Sequence, residues 1–353
     1  MLCDNPGDSA DYYGVGSGDL CIPFARVRDS TWGYVFGDCW DGQEQGGNYL
    51  GSPIMLDQDS FDSAGASAIA FTWAEPKPQA SRLFDYADHA DNGYGYEVSR
   101  IPNDCVEYNG RTFIQYTSVD TWVRPHSFSD GSRFAGIAYS DDYGDTWADF
   151  ATQWDGDRRG NNGSVYMMWT FAGIDTDADK IYIFSKPWNG SHNYNGDNAR
   201  IILFRMSLAD FYDGDFSNVE NWHYGSGTWS WCGDLPATPL FAPGNNLGEL
   251  SVKKIGSTWV MSYFDCTDRS IKTRTAAAVD GIWSDEKIQV VHNKLWPPSH
   301  WGKPQQRYPY GGYIHPGSAS TSNLCLIVSQ WNGTLGARPY TATQWTGLTA
   351  QPD

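Results

Sequence analysis

Long apolar runs are missing from this sequence. No stretch of its 353 residues approaches the ~18 that a bilayer-spanning helix needs, so no membrane insertion is expected. Basic residues are scarce: 24 Lys and Arg stand against 42 Asp and Glu, a formal net charge of −18. That balance repels phosphate, which argues against nucleic acid or an anionic membrane surface as a partner. The seven Cys, at 3, 21, 39, 105, 232, 266 and 325, form no CxxC pair, so their spacing supports no tetrahedral zinc site. An oxidising compartment would allow one or more disulfides with an odd Cys left over. HExxH, GxSxG and a Gly-rich loop followed by Lys are also missing, which argues against metalloprotease, serine-hydrolase and phosphoryl-transfer chemistry. The start, Met1-Leu2-Cys3-Asp4, carries no basic region followed by an apolar stretch, so a leader is expected to be absent or already removed.

What is present points to a folded all-β chain. Seventeen Trp, 21 Tyr and 16 Phe exclude a disordered acidic polymer, and 38 Gly with 18 Pro do not suit a helical bundle. Segments rich in β-branched and aromatic residues recur at 33–37, 66–73, 112–117, 134–139, 165–171, 180–185, 200–206, 258–264, 271–275 and 323–329. NG, DG, GS and SD turns lie between them. Only 206–213 and 79–90 read as helix. The strand groups form a loose repeat: one unit ending near 38 with outer strands near 54 and 66–73, then 104–149, 165–205, 248–283, and a fifth from about 311 that needs the C-terminal stretch, with the N-terminus, to close. The expected architecture is a single five-bladed β-propeller domain over 1–353, whose closed ring leaves no exposed sheet edge.

Residues Ser140-Asp141-Asp142-Tyr143-Gly144-Asp145-Thr146-Trp147 resemble the Asp-box of sialidase-type propellers. Such a box is a structural hairpin: Asp142 accepts turn amides, Gly144 takes a positive φ, and Trp147 packs beneath. A calcium loop is the competing reading, but the bidentate Glu and twelve-residue spacing of an EF-hand are missing.

The carboxylates are the candidates for chemistry. Asp19 follows Gly-Ser-Gly, and Asp38 closes the strand that starts at Gly33 and precedes Cys39-Trp40. Glycosidic cleavage needs two such groups, one to protonate the leaving oxygen and one to attack or to activate water. Burial and mutual repulsion separate their pKa values. Either Asp is also readable as an ordinary turn residue. Glu249 begins an apolar strand, in a chain where Glu is scarce beside Asp, and points toward a propeller channel or caps an edge. His315, within Tyr310-Gly311-Gly312-Tyr313-Ile314-His315-Pro316-Gly317, belongs to a sugar-binding surface or to the core. Trp40 and Tyr313 are candidate sugar-stacking rings. Arg124 offers paired donors to hydroxyls or to a carboxylate, and His126 follows closely.

Taken in order, Gly-Asp19, Tyr34-Val35-Phe36-Gly37-Asp38, Gly51-Ser52-Pro53-Ile54, Gly248-Glu249-Leu250-Ser251-Val252 and Gly311-Gly312-Tyr313-Ile314-His315-Pro316 resemble the DUF4185 family. The resemblance spans about 14–330. It implies a five-bladed propeller and an endo-D-arabinanase of the glycoside hydrolase family 183 type, acting on the D-arabinan of mycobacterial arabinogalactan or lipoarabinomannan. It implies Asp19 as acid/base and Asp38 as nucleophile, or as general base if the enzyme inverts. Glu249, His315, Arg124, Trp40, Tyr313 and His126 would then bind substrate. An L-arabinan hydrolase and a glycan-binding propeller without activity are the alternatives. Cys39 departs from the small hydroxyl residue usual after the Gly-Asp motif, and a Cys21–Cys39 disulfide is expected if both Asp face one site. No cofactor is expected beyond a structural calcium, and the chain is expected to work as a monomer outside the cell or at an envelope, alone or as a module of a phage or larger secreted protein.

Overall fold

Asn109 and Gly110, both at positive φ, make the two-residue turn that joins Ser99–Tyr108 to Arg111–Val119. Both central positions of such a turn need φ above zero, which Asn and Gly accept at least cost. Antiparallel strand pairs recur through the described residues. The computed structural model describes residues 12–27, 30–42, 47–58, 68–75, 79–86, 97–120, 131–156, 164–188, 200–241, 247–293, 302–331 and 340–351.

Five sheets, antiparallel but for one short parallel pair at the edge of the fourth, follow one another along the chain. The first runs Ile22–Arg26, Thr31–Phe36, Ile54–Gln58, Trp73–Glu75. The second starts with Ser99–Tyr108, Arg111–Val119 and Ser132–Ser140, the third with Met168–Asp175, Lys180–Lys186 and Ile202–Ser207. The fourth starts with Leu247–Ile255, Thr258–Asp265 and Ser270–Ala276, and the fifth is Pro309–Ile314, Leu324–Gln330, Thr341–Leu348. The first strand of each sheet contacts the first strand of the next, and Pro309–Ile314 returns to Ile22–Arg26. The sheets are therefore the five blades of a β-propeller around a central axis. Apolar side chains fill the space between blades: Phe113, Trp169 and Phe204 between the second and third, Ala172, Val252 and Met261 between the third and fourth.

The innermost strands carry polar side chains inward. Asp104 accepts bonds from Lys253 Nζ at 2.6 Å, Thr170 Oγ1 at 2.8 Å and the Phe171 amide at 2.8 Å, which ties three of the five inner strands together. A small sheet, Ser17–Gly18, Cys39–Trp40 and Tyr49–Gly51, crosses the ring where it closes. Its Gly18 amide bonds to Tyr340 O in the fifth blade, and its Tyr49 hydroxyl reaches Ser99 in the second.

The 140–147 turn is built as its sequence implies. Thr146 N and Oγ1 donate to the two oxygens of Asp142, Gly144 sits at φ +101°, and Trp147 Nε1 donates to Gly144 O. Burial raises the Asp142 pKa, but the bonds from Thr146 and Ser140 outweigh it and hold the carboxyl below its usual value. Arg26 pairs with Asp57 and donates to Tyr143 O, which anchors the turn to the first blade.

Several expectations need correction. Ser99–Tyr108 is the unpredicted inner strand of the second blade, and the first blade's inner strand is Ile22–Arg26, with the strand before Asp38 second. The described part of 66–73 is irregular until Trp73–Glu75, whose place is fixed by pairing with Ile54–Gln58. Residues 79–86 are not helical, whereas 206–213 holds the helix Leu208–Asp213, capped by Ser207 and ended by Gly214 at φ +73°. No disulfide joins Cys21 to Cys39. Cys39 Sγ points at Gly18, while Cys21 lies against Tyr34. Among the described residues no helix is long and apolar enough to cross a membrane.

Candidate active site

Chain direction gathers the carboxylates on one face. Every inner strand starts at the same mouth of the ring. Asp19 lies just before Ile22–Arg26, Ser99 opens the second inner strand, Glu249 lies near the start of the fourth and Tyr310 near the start of the fifth. Asp38 follows Thr31–Phe36, which runs antiparallel and ends at that mouth. The 140–147 turn follows the end of a third strand and so lies at the opposite face.

Asp19 is 7% exposed. Its backbone oxygen accepts from the Gly37 and Cys21 amides, which fixes the loop, and Leu20 and Cys21 both adopt positive φ. Its Oδ2 accepts from the Tyr310 hydroxyl at 2.7 Å, and the Tyr340 phenol is the second hydroxyl at this carboxyl. Oδ1 is buried without a well-formed hydrogen bond. A Cβ on Gly37 would lie 2.3 Å from that oxygen, so only glycine admits the Asp19 side chain here. Burial pushes the Asp19 pKa up to about 8, the charges of Asp38 and Glu249 push the same way, and the two tyrosine hydroxyls only partly offset them. The shift favours the protonated form of Asp19 near neutral pH.

Asp38 is half-buried, and its Oδ1 accepts from Tyr49 at 2.7 Å and from Ser99 Oγ at 2.8 Å. Two fixed donors on one oxygen orient the carboxylate. Glu249 Oε2 accepts from the Gly311 amide at 3.0 Å, and the next inner-strand contact is Ile314 N to Ser251 Oγ. Burial and the neighbouring carboxylates raise the hydroxyl pKa values of Tyr49, Tyr310 and Tyr340 well above the usual tyrosine value. These phenols donate protons in hydrogen bonds and do not ionise. Chemically, the mouth offers Asp19, whose proton affinity is raised, Asp38, oriented by two donors, and Glu249 as a third acidic group.

The structure brings Asp19, Asp38 and Glu249 together and separates others. His315 is 1% exposed, edge-on to Trp32, with Nε2 3.0 Å from the Tyr34 hydroxyl and Nδ1 accepting from Gly317 N. That is a core histidine, kept neutral by burial, which lowers its pKa to about 3. A sugar has no access to it. Tyr313 is also too buried, at 2% exposure, and it packs beside Glu249 and Asp19. Trp40 supports the site from behind, against Tyr49 at 5.3 Å and Tyr340 at 5.0 Å. Arg124 and His126 lie outside the described residues. Sequence reading missed Tyr49, Ser99, Tyr310 and Tyr340. Tyr310 opens the Gly-Gly stretch already noted, while the other three carry no local signal. Among the described residues no group of three or more His, Cys, Asp or Glu is placed to hold a metal ion.

The fold and the chain both have relatives. A protein of Aspergillus versicolor called notoamide biosynthesis cluster protein J' is 29% identical over 345 residues, covering 94% of this chain and 85% of its own length. An uncharacterised 35.9 kDa protein of Mycolicibacterium smegmatis is 25% identical over 357 residues, covering 94% and 92%. A protein of Bacteroides ovatus ATCC 8483, assigned provisionally as a hydrolase, superposes with a TM-score of 0.61 at 15% identity, over 94% of this chain and 86% of that one. An exo-beta-1,3-galactanase of Phanerochaete chrysosporium gives 0.51 at 12% identity, over 94% and 63%. At these identities the structural likeness is one of fold, the five-bladed β-propeller. The pattern that defines the domain of unknown function DUF4185 matches residues 4–346, nearly the whole sequence, and the chain belongs to that family.

Proposed function

We propose that the protein is a glycoside hydrolase that cuts internal linkages of a polysaccharide. The observation that carries this is Asp19: a buried carboxyl, its pKa raised by burial and by the Asp38 charge, set beside that second carboxyl at the mouth of a propeller. Cleavage of a glycosidic bond needs a proton donor and a base or nucleophile that stay in opposite ionisation states. In this reading Asp19 protonates the leaving oxygen as the bond to the anomeric carbon breaks. Asp38, oriented by Tyr49 and Ser99, attacks that carbon or takes a proton from the water that does. Glu249 lies across the mouth and positions the ring hydroxyls. Water is the only co-reactant.

A furanose polymer is the proposed substrate. D-arabinan of the mycobacterial type is the candidate supplied by the family resemblance, and L-arabinan is its competitor. The galactanase sharing the fold adds β-1,3-galactan to the panel. Such a polymer lies outside cells or in envelopes, so the protein is placed there, acting as a single catalytic unit. Incubation with D-arabinan, L-arabinan, xylan and β-1,3-galactan, read by chromatography of the products, tests the reading. Internal cleavage of either arabinan supports it. Cleavage of xylan or galactan alone overturns the furanose assignment, and binding without products overturns the hydrolase.

A further inference from the structure

Tyr310 has two neighbourhoods. Its hydroxyl holds Asp19, and its ring lines a cavity of about 160 Å³ between the fourth and fifth blades. The cavity opens at the same mouth, because its other walls come from strand ends there. Phe264 is near the end of the fourth blade's second strand, Tyr308 precedes Pro309–Ile314, and Trp331 follows Leu324–Gln330. A closed cavity of about 150 Å³ is enough to seat a benzene ring, so this one, open on one side, has room for a sugar ring.

Its lining is built for a ligand that is both flat-faced and hydroxylated. Trp331 is 48% exposed at the rim, one of few large apolar side chains so displayed among the described residues. Tyr308 is half-buried and is braced edge-on by His292 at 4.7 Å. Arg269 brings a guanidinium to the same rim. Its neighbour Asp268 is engaged by Lys272 at 3.0 Å and by Ser270, and the Arg269 side chain makes no hydrogen bond or ion pair among the described residues. Backbone conformation adds a second, independent sign. Arg269 and Tyr308 both sit in the left-handed region, at φ 57° and 43°. Glycine or asparagine would occupy such positions with less strain, and strain of this kind concentrates where side chains bind ligands.

Resting on the glycosidase reading, we infer that this cavity is a sugar subsite that seats a unit of the same glycan chain away from the bond being cut. Trp331 and Tyr308 present ring faces to the sugar C–H groups, and Arg269 donates to its hydroxyls. The ligand is an uncharged glycan, since the net charge of −18 disfavours an anionic one. Tyr310 links the subsite to the proton donor, so chain length is read directly beside the acid.

The test uses W331A, R269A and the conservative W331F, all at rim positions where folding is not at stake, each checked by thermal melting. Short and long oligosaccharides cut from D-arabinan and L-arabinan are titrated calorimetrically into each variant in a D38N background, so that binding is read without cleavage. The same rim substitutions in the otherwise wild-type protein are assayed on the polymer and on an aryl furanoside too small to reach the cavity. The expected result is a fall of ~10-fold or more in affinity for long oligosaccharides and in kcat/KM on polymer for W331A and R269A. The aryl furanoside rate stays at wild type, and W331F keeps most of the binding. Long-chain affinity equal to wild type in W331A and R269A overturns the subsite, and so does an equal loss on the aryl furanoside. If the wild type cleaves no polymer but W331A still weakens oligosaccharide binding, the hydrolase reading fails and the subsite stands. If no oligosaccharide binds at all, both fall.

Discussion

The Tyr310 hydroxyl donates to Asp19 Oδ2 at 2.7 Å across 291 residues of chain. Ring closure makes this contact: the first and last blades meet, and the loop before the first inner strand rests on the first strand of the fifth blade. The contact places a neutral donor on a carboxyl whose pKa burial raises. Removing the donor therefore changes the proton affinity of the acid in a defined direction.

The hydrogen bond from Tyr310 lowers the Asp19 pKa, and the charge of Asp38 raises it. Y310F is expected to move the Asp19 pKa above about 8, and D38N to move it below. Carbon-13 NMR titration of labelled aspartate carboxyls reads both. Shifts of the same sign in the two variants would contradict the assigned causes. In the wild type, activity should fall as pH rises through about 8, where the acid loses its proton.

Asp19 also weakens the fold at high pH. Its folded pKa is raised above the ~3.9 of an unfolded Asp, so its contribution to stability is fully present below about pH 4 and is lost as pH rises through about 8. The slope is ~1.4 kcal/mol per pH unit inside that window. D19N removes the proton linkage. It should melt at a higher temperature than wild type at pH 8, with the difference shrinking toward pH 4. Parallel melting curves over that range would show that Asp19 is not buried as described.

His315 works in the opposite sense. Burial lowers its folded pKa to about 3, so its stabilising contribution is present above the unfolded value of ~6.5 and is lost as pH falls toward 3. H315Q should lower stability at neutral pH, through the lost bonds to Tyr34 and Gly317, and flatten the acid-side decline. Urea unfolding from pH 7 to 4 measures it. An unchanged acid slope would place the imidazole in contact with solvent.

Gly37→Ala tests the packing behind the acid. The added Cβ would lie 2.3 Å from Asp19 Oδ1 and 3.0 Å from Leu20 Cδ1. Asp19 has to move, and a misplaced catalytic group costs on the order of 100-fold. Polysaccharide cleavage should fall by about that factor while circular dichroism keeps the all-β signature. Wild-type activity in G37A would mean that the Asp19 position is not critical.

Much of this was legible in the sequence for physical reasons. Five strand groups show because inter-blade faces must be apolar, and Phe113, Trp169 and Phe204 supply that pattern. Asp38 shows because Gly37 precedes it and a strand ends there, and Glu249 shows because a carboxylate at an apolar strand's start is unusual. The inner strand Ser99–Tyr108 was hidden because its inward side chains, Asn103 and Asp104 among them, bond to other strands and not to an apolar core. Tyr340 and Tyr49 were hidden because only the closed ring brings them to Asp19 and Asp38. His315 was ambiguous because glycines and aromatic rings surround core and sugar-facing histidines alike, and its burial between Trp32 and Tyr34 decides the matter.

Asp19 and Asp38 are proposed to share one chemical step. The most direct test is the rate of cleavage of soluble arabinan by D19N and D38N, with each variant's fold checked by circular dichroism. Asn keeps the shape of Asp but neither gives a proton nor attacks as a carboxylate. Loss of a general acid or base lowers the rate by at least ~100-fold, so both folded variants should fall by that factor or more. A folded variant of either residue that cleaves arabinan near the wild-type rate would contradict the account.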